Sequence, residues 1–230
     1  MQNQVLQEQL QTAFSEQIIT LSSEYDEVTM EVSGEHLLQV CQQLKETDHF
    51  HFEQLIDVCG VDYLDYGKAE WVTAKATSKG FERAATRTQK INVLKRQGPR
   101  FAVAYHLLSL RHNRRLRIKV FLKHEPLIIP SVMEIWPAAN WFEREAYDVI
   151  GIMFEGHPDL RRILTDYGFS GHPFRKDFPV SGYVEMRYDA TEQRVIYEKV
   201  DIEPRVLVPK VIRQDSRYVN PETEQGENNA

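Results

Sequence analysis

The segment from Glu143 to Asp177 reads EREAYDVIGIMFEGHPDLRRILTDYGFSGHPFRKD, and it carries more specific chemistry than any other part of the chain. Its apolar residues up to position 153 have the three-and-four spacing that is typical of a helix packed on a core. Asn140 and Glu143 have the spacing of a capping box, which predicts a helix that begins at Trp141. Gly151 can supply the left-handed residue that ends this helix. A helix this short must be stabilised mainly by packing.

Two Gly-His-Pro turns follow the predicted helix, and a basic pair comes soon after each of them. The turns contain His157 and His172. Neither histidine has a nearby cysteine or a third ligand at a recognised metal-site spacing, so we interpret both as structural. The side chains of the basic pairs can be solvated, contact lipid headgroups or bind the carboxylates of a partner. Because guanidinium groups bind desolvated carboxylates with two parallel hydrogen bonds, Arg161 and Arg175 favour the partner interpretation.

The carboxylates of the predicted helix do not form a catalytic pair. On a helix Glu143 and Glu145 point about 200° apart, and Glu143 and Asp148 about 140° apart. An acid and a base must converge on one bond. We therefore favour a charged helix that docks on a partner or braces the following loop, with a solvated helix face as the alternative. Arg144 and Asp148 are four residues apart and can pair, although an acid before a base is the better order.

Composition limits the classes of protein that this chain can represent. Its 230 residues are 42% hydrophobic and 27% charged, enough for one substantial core and long surface segments. The formal charge of −6 argues against a nucleic-acid protein, whose affinity comes largely from neutralising phosphates. The basic stretch 111–117 is the one candidate for a nucleic-acid-binding patch, but it lies between two predicted strands and is better interpreted as a charged hairpin turn. The sequence has no apolar run long enough to span a bilayer and no signal peptide at its polar start, so we expect a cytoplasmic chain.

The cysteine count bears on redox chemistry. An iron-sulfur cluster commonly uses four cysteine thiolates, whereas this chain has only Cys41 and Cys59. The sequence also lacks the two commonest glycine-rich nucleotide-binding motifs. We therefore expect neither a cluster nor a nucleotide in this chain, and we expect both cysteines to be buried free thiols.

Hydrophobic periodicity predicts the remaining elements. Helical stripes occupy residues 6–14 and 37–44, and strands are predicted at 28–32, 55–63, 101–110, 116–122, 183–188 and 194–200. Ser131 and Glu134 have the spacing of a capping box for a further brief helix. The pattern predicts an α+β fold, with a mainly antiparallel sheet and helices packed on one face, followed by an extended C-terminal arm.

Several positions at fixed offsets resemble the signature of the 30 kDa subunit family of respiratory complex I, the bacterial NADH-quinone oxidoreductase. The residues that carry this resemblance are Glu143, Arg144, Glu145, Asp148, His157, Arg161 and Asp166. The similarity continues through the run 171–179 and on to Asp189. The resemblance implies a non-catalytic structural subunit in the peripheral arm of the proton-translocating enzyme, which passes electrons from NADH through FMN and iron-sulfur clusters to quinone.

The organisation of the chain is predicted from the residues together with the resemblance, and the partners from the resemblance. The family domain would cover residues 1–165, with 67–100 as a possible hairpin or excursion, followed by a partner-binding arm at 166–218 and a disordered tail at 219–230. The expected partners are other subunits of the complex, chiefly the 49 kDa subunit and the adjacent iron-sulfur subunit. FMN and the iron-sulfur clusters are expected in partner subunits and not in this chain. Membrane association would be indirect, on the cytoplasmic side of the inner membrane.

The residues predicted to dock these partners are Glu143, Arg144, Glu145, Asp148, His157, Arg161, Asp166, Arg175 and Asp177. No catalytic, cofactor-binding or metal-binding residue is expected. Two alternatives stay open. The first is the equivalent subunit of a related membrane-bound hydrogenase, and the second is an independent soluble enzyme that uses Asp148, His157 or Asp166.

Overall fold

The computed structural model describes residues 2–73, 85–92 and 98–202, with side chains for 3–67 and 98–202. The chain divides into two compact units. The first comprises Met1–Leu64 and Gly98–Val200, and the second comprises Asp65–Gln97 and Asp201–Ala230. Residues 166–200, which the sequence analysis assigned to the arm, group with the first unit. The predicted domain bounds stay a prediction. Most of the remaining arm and the predicted tail lie outside the described residues.

The elements follow one another in mixed order along the chain. They are α1 (Gln2–Ala13), β1 (Ile18–Glu24), β2 (Glu27–Val32), a short 3-10 helix (Gly34–His36), α2 (Leu37–Glu46), β3 (Gln54–Asp62), β4 (Lys68–Thr73), β5 (Ala85–Asn92), β6 (Phe101–Ser109), β7 (Arg114–Leu122), β8 (Ile128–Pro130), α3 (Ala139–Ile150), β9 (Met153–Glu155), β10 (Val184–Asp189) and β11 (Arg194–Lys199). No helix in the described ranges is both long and apolar enough to cross a membrane.

A five-stranded sheet forms the centre of the first unit, in the order β1-β2-β7-β6-β3. Strands β2 and β7 pair in parallel, and the other neighbours pair antiparallel. The β6–β7 hairpin is the one that alternation predicted. Its turn includes Asn113 at a φ of 49°, a left-handed conformation that asparagine tolerates better than most residues. The structure confirms the α+β fold with a mainly antiparallel sheet.

The helices cover one face of this sheet, and the core lies between them. Strand alternation buries Val28, Met30 and Val32 of β2. The helices bury a further set of apolar side chains against the sheet: Leu6 and Leu10 of α1, Leu37, Val40, Cys41 and Leu44 of α2, and Ala146, Val149 and Ile150 of α3. Because a fully buried Leu, Val or Ile contributes about 1.5–3 kcal/mol, this face dominates the stability of the unit.

Both predicted capping boxes are wrong. Helix α3 begins at Ala139, and its N-cap residue Ala138 makes no side-chain cap. Glu143 instead points inward and binds the hydroxyl of Ser131 and the N–H of Val132. That hydroxyl also accepts a hydrogen bond from the N–H of Met133, and the predicted brief helix at this point is a series of turns. Ser131 and Glu143 therefore bind each other across the fold and do not cap the helices that the local pattern predicted.

Strands β10 and β11 form an antiparallel hairpin, as predicted, and almost all of their side chains are partly or largely exposed. Two short strands, β8 and β9, pair in parallel on either side of α3. In the second unit β4 and β5 pair antiparallel, within the segment that the sequence analysis left open as a hairpin or an excursion.

Candidate functional site

Asp148 lies at the centre of the segment Glu143–Asp177, which we call the signature segment. Its side chain is fully buried at the end of α3. Its Oδ2 accepts the N–H groups of Ile163, Leu164 and Thr165 at 3.0, 2.7 and 2.9 Å. Its Oδ1 accepts Arg162 Nη1 at 2.9 Å and the Thr165 hydroxyl at 2.5 Å. One carboxylate therefore holds a whole turn of the following loop against the helix.

The charge of Asp148 is stabilised by these donors. Burial acts to raise its pKa, but the hydrogen bonds from Thr165, Leu164 and Ile163 outweigh burial and hold the pKa well below the usual range of a carboxyl group. Arg162 supplies the matching positive charge. Its Nη2 also donates to the carbonyl of Gly171 at 2.9 Å, which extends the connection to the second Gly-His-Pro turn.

The second turn closes over the C-terminal end of α3. The last carbonyls of a helix lack partners within it. Here the carbonyl of Asp148 lies 2.9 Å from His172 Nδ1, and that of Ile150 accepts Arg175 Nε at 2.7 Å. Gly151 ends the helix at a φ of 86°, as predicted, and a Cβ there would lie 2.5 Å from His172 Nε2. Both the backbone conformation and the imidazole require glycine at this position.

Glu143 joins α3 to the chain before it. Its side chain is fully buried, and its two oxygens accept the Ser131 hydroxyl at 2.6 Å and the Val132 N–H at 2.8 Å. Burial raises the pKa of this carboxyl group, and the two hydrogen bonds only partly offset that effect. Glu143 therefore works inside the fold.

Arg144 and Asp148 do not form the pair that their spacing allows. Arg144 Nε donates to Asn140 Oδ1 at 2.9 Å, and its Nη1 donates to Asp159 Oδ2 at 2.9 Å. His157 completes the same cluster, because its Nδ1 accepts the N–H of Asp159 at 3.1 Å and its Nε2 lies 3.2 Å from the carbonyl of Asn140. The first Gly-His-Pro turn is thus bound to the start of α3.

A second carboxylate, Asp62 at the end of β3, holds the far end of the signature segment and was missed in the sequence. It accepts Arg100 Nε and Nη2 at 2.9 and 2.7 Å and the N–H of Lys176 at 2.9 Å. Arg100 also pairs with Asp177 at 3.0 Å. Burial acts to raise the pKa of Asp62, but hydrogen bonds from Arg100, Lys176 and Leu64 lower it to about 2. No local pattern joins residues so far apart in sequence.

The predicted docking residues divide into two sets. Glu143, Arg144 and Asp148 are buried, and the polar groups of their side chains are bonded within the fold. The more exposed set contains Glu145, Arg161, Asp166 and Asp177, with His157 and Arg175 partly covered. Asp166 binds the hydroxyl of Tyr197 at 2.9 Å and so connects the signature segment to β11. Contact of either set with a partner stays a prediction.

The β10–β11 hairpin adds an apolar surface that the sequence analysis did not single out. The register pairs Met186 with Tyr197, Tyr188 with Val195 and Val184 with Lys199, so five apolar side chains and the exposed Lys199 share one face. Each of the five is 55–63% exposed. The opposite face carries charged residues, including an ion pair between Arg187 and Glu198. We call the five residues the hairpin apolar face.

Comparison with known proteins identifies the family. The family described as "Respiratory-chain NADH dehydrogenase, 30 Kd subunit" matches residues 30–184. A protein of Legionella pneumophila (strain Philadelphia 1), named as a subunit of NADH-quinone oxidoreductase, is 57% identical over 220 residues, which cover 96% of each chain. A protein of the same name from Coxiella burnetii (strain RSA 493) is 53% identical over 225 residues, covering 98% of this chain and 99% of that protein. The chain belongs to the 30 kDa subunit family of the respiratory-chain NADH dehydrogenase, an enzyme complex.

A solved structure shares the fold. A chain from the structure of the membrane-bound sulfane sulfur reductase, an archaeal respiratory membrane complex, has a TM-score of 0.55 at 18% identity. The similarity covers 78% of this chain and 86% of that chain. It shows a common architecture.

Proposed function

We propose that this chain is a non-catalytic subunit of the peripheral arm of NADH:quinone oxidoreductase, where it docks and orients the 49 kDa subunit and the adjacent iron-sulfur subunit. FMN and the iron-sulfur clusters belong to other subunits, and this chain holds no cofactor. It reaches the cytoplasmic side of the bacterial inner membrane through its partners. Its contribution to electron transfer is to fix the positions of the subunits that carry electrons.

The hairpin apolar face is the observation that carries this proposal. Its five apolar side chains are each more than half exposed. They lie on a separate two-stranded sheet. An isolated hairpin is marginally stable in water, and a contiguous exposed apolar surface is typical of a protein interface. Relatives that share more than half of the sequence over nearly the whole chain are named as a subunit, which supports a subunit partner for this surface.

The buried part of the signature segment supports docking indirectly. Asp148 and Glu143 hold the loop and the helix in place, so the exposed residues are presented from a rigid base. Arg161 is one of these, with 70% of its side chain exposed and an ion pair to Asp159 at 3.1 Å through Nε. Its guanidinium group retains donors for a carboxylate on a partner. Preorganisation of this kind lowers the entropic cost of association.

The alternatives from the sequence are less well supported. The relatives compared above carry the name of the quinone enzyme and not that of a hydrogenase. An independent enzyme that uses Asp148, His157 or Asp166 would need the side chain to be free to meet a substrate. Instead Asp148 is bound by the loop after α3, His157 lies against Asn140, and Asp166 binds Tyr197.

The test is recovery of partners by the tagged full-length chain from detergent-solubilised membranes. We expect wild type to recover an NADH-oxidising, quinone-reducing particle, and we expect Met186→Asp and Tyr188→Asp to recover much less of it. Tyr25→Asp is the matched control. Its side chain is 97% exposed in the β1–β2 turn, and its φ of 53° suits aspartate better than tyrosine. Equal recovery by all variants would refute docking through the hairpin.

A further inference from the structure

The outer edge of β3 is a free edge of the central sheet. Among the described strands, only β6 pairs with it. Neighbouring residues of an antiparallel strand direct their N–H and C=O groups alternately toward and away from the partner strand. The N–H of Tyr63 donates to the carbonyl of Arg100 at 2.8 Å, which continues the β3–β6 register. Cys59 and Val61 therefore also bond to β6, whereas Gly60 directs its N–H and C=O outward.

The outward main-chain groups at this edge are unpaired among the described residues. Among the residues that the structure describes, none forms a main-chain or side-chain hydrogen bond with the outward N–H and C=O of Gly60 or Asp62. Natural sheets protect such edges with lysine, proline or a covering segment. Strand β3 has neither lysine nor proline, and the nearby segment 173–180 forms no main-chain to main-chain hydrogen bond with it. Gly60 itself is required for packing, because a Cβ there would lie 3.0 Å from atoms of both Ile150 and Ile152.

An apolar cavity of about 660 Å³ lies beside this edge. Its floor includes Gly60 and Ile150, and its rim includes Phe174, Phe178 and Val180. Phe174 is 60% exposed and Val180 fully exposed, so the rim is open to solvent. A cavity of this size with an apolar lining suits one or more apolar side chains.

One cation at the rim has no ion pair among the described residues. Asp62 and Asp177 share the single guanidinium group of Arg100, and Arg175 pairs with Glu125. The exposed Lys176 lines the cavity, and its ammonium group forms no ion pair with any residue in the described ranges. An acidic group on the occupant would complete this site electrostatically.

We propose that the β3 edge at Gly60–Asp62 accepts an extended segment of a neighbouring subunit by β-augmentation. The segment exchanges main-chain hydrogen bonds with Gly60, places an apolar side chain in the cavity, and sets a carboxylate opposite Lys176. Main-chain pairing supplies affinity in this mode, and the pocket supplies specificity. The inference rests on the proposed function, because the occupant comes from the assembled complex.

Amide hydrogen exchange of the full-length chain, alone and in the purified complex, tests the site. We expect the Gly60 and Asp62 amides to exchange at least about tenfold more slowly in the complex. The Cys59 and Val61 amides serve as internal controls, because β6 binds them in both states. If the chain assembles and the Gly60 and Asp62 rates do not change, the augmentation site is refuted and the docking function stands. If the chain recovers no partner, both the augmentation site and the docking function are refuted.

Two further measurements identify the occupant. A photo-crosslinking amino acid in place of Val180 should capture a segment of another subunit that contains an apolar residue and a carboxylate. Capture of this chain itself or of a second copy would overturn the assignment. Lys176→Glu should weaken recovery of the complex about tenfold, whereas the exposed Lys123, changed to Glu, is the matched control and should leave it unchanged. Equal recovery by both variants would refute the charge complementarity.

Discussion

Replacement of Asp148 by asparagine should destabilise the isolated chain severely, although the two side chains have nearly the same shape. The carboxylate accepts five hydrogen bonds, three at Oδ2 and two at Oδ1. Asparagine keeps one oxygen and presents an NH2 group in place of the other. With the NH2 group at the Oδ2 position three backbone N–H groups face a donor. At the Oδ1 position Arg162 Nη1 faces a donor, and the Thr165 hydroxyl must turn to accept.

The magnitude follows from these contacts. A hydrogen bond to a charged group contributes about 1.5–3 kcal/mol, and removal of one member of a buried ion pair costs about 3–5 kcal/mol. Because asparagine retains one acceptor, we expect Asp148→Asn to lower the free energy of unfolding by about 3 kcal/mol, the lower end of the range for a broken buried ion pair. That is a large fraction of the ~5–15 kcal/mol that stabilises a typical domain.

Urea denaturation of the purified chain at neutral pH measures this loss. Asp166→Asn is the matched control, since that carboxylate is exposed in the same segment and accepts bonds from the Tyr197 hydroxyl and the Tyr167 N–H. We expect the control to lose less than about 1 kcal/mol. An Asp148→Asn protein within about 0.5 kcal/mol of wild type would refute the assigned role of this carboxylate.

The same variant has a characteristic pH dependence. The pKa of Asp148 in the fold lies well below that of an unfolded aspartate, about 3.9. Its contribution is therefore present above about pH 4 and is lost as the pH falls toward the folded pKa. The difference in stability between wild type and Asp148→Asn should shrink below pH 4. A difference that grows on acidification would contradict this sign.

Three other changes give independent tests. Gly151→Ala should lower the free energy of unfolding by about 2 kcal/mol or more, because strain and an imidazole contact combine, whereas Gly156→Ala, at a φ of 85° with open space around it, should cost about 1 kcal/mol by thermal denaturation. Asp62→Asn should cost about 2 kcal/mol at pH 7, with the difference from wild type lost between about pH 4 and pH 2, because the folded pKa of about 2 lies below the unfolded value. Burial and the neighbouring Asp57 raise the pKa of the Cys59 thiol to about 12. Iodoacetamide at pH 8 should therefore alkylate Cys59 at least about a hundredfold more slowly than an exposed cysteine in a peptide, and Asp57→Asn should accelerate the reaction.

The parts of the fold that follow local rules could be predicted from the sequence. Alternation of apolar residues located β2, β6 and β7, and helical spacing located α1, α2 and α3. The end of α3 at Gly151 was also predictable, because glycine adopts the left-handed conformation without a steric cost. These signals depend on residues close together in the chain.

The connections that hold the signature segment could not be predicted in the same way. An exposed pair four residues apart contributes only about 0.2–0.5 kcal/mol, so Arg144 and Asp148 each bind the loop instead of each other. Glu143 likewise binds Ser131, because burial requires its oxygens to find donors. Asp62 and Arg100 are brought together by the β3–β6 register across a long intervening segment. Only the tertiary structure reveals such partners.

Turnover per assembled particle tests the central claim most directly. NADH:quinone oxidoreductase activity of membranes that carry Met186→Asp should be measured together with the amount of assembled complex. A non-catalytic bracing subunit predicts that less complex assembles and that each assembled particle turns over at the wild-type rate. Full assembly with a reduced rate per particle would show that the hairpin apolar face acts on turnover without acting on docking, and it would contradict the account.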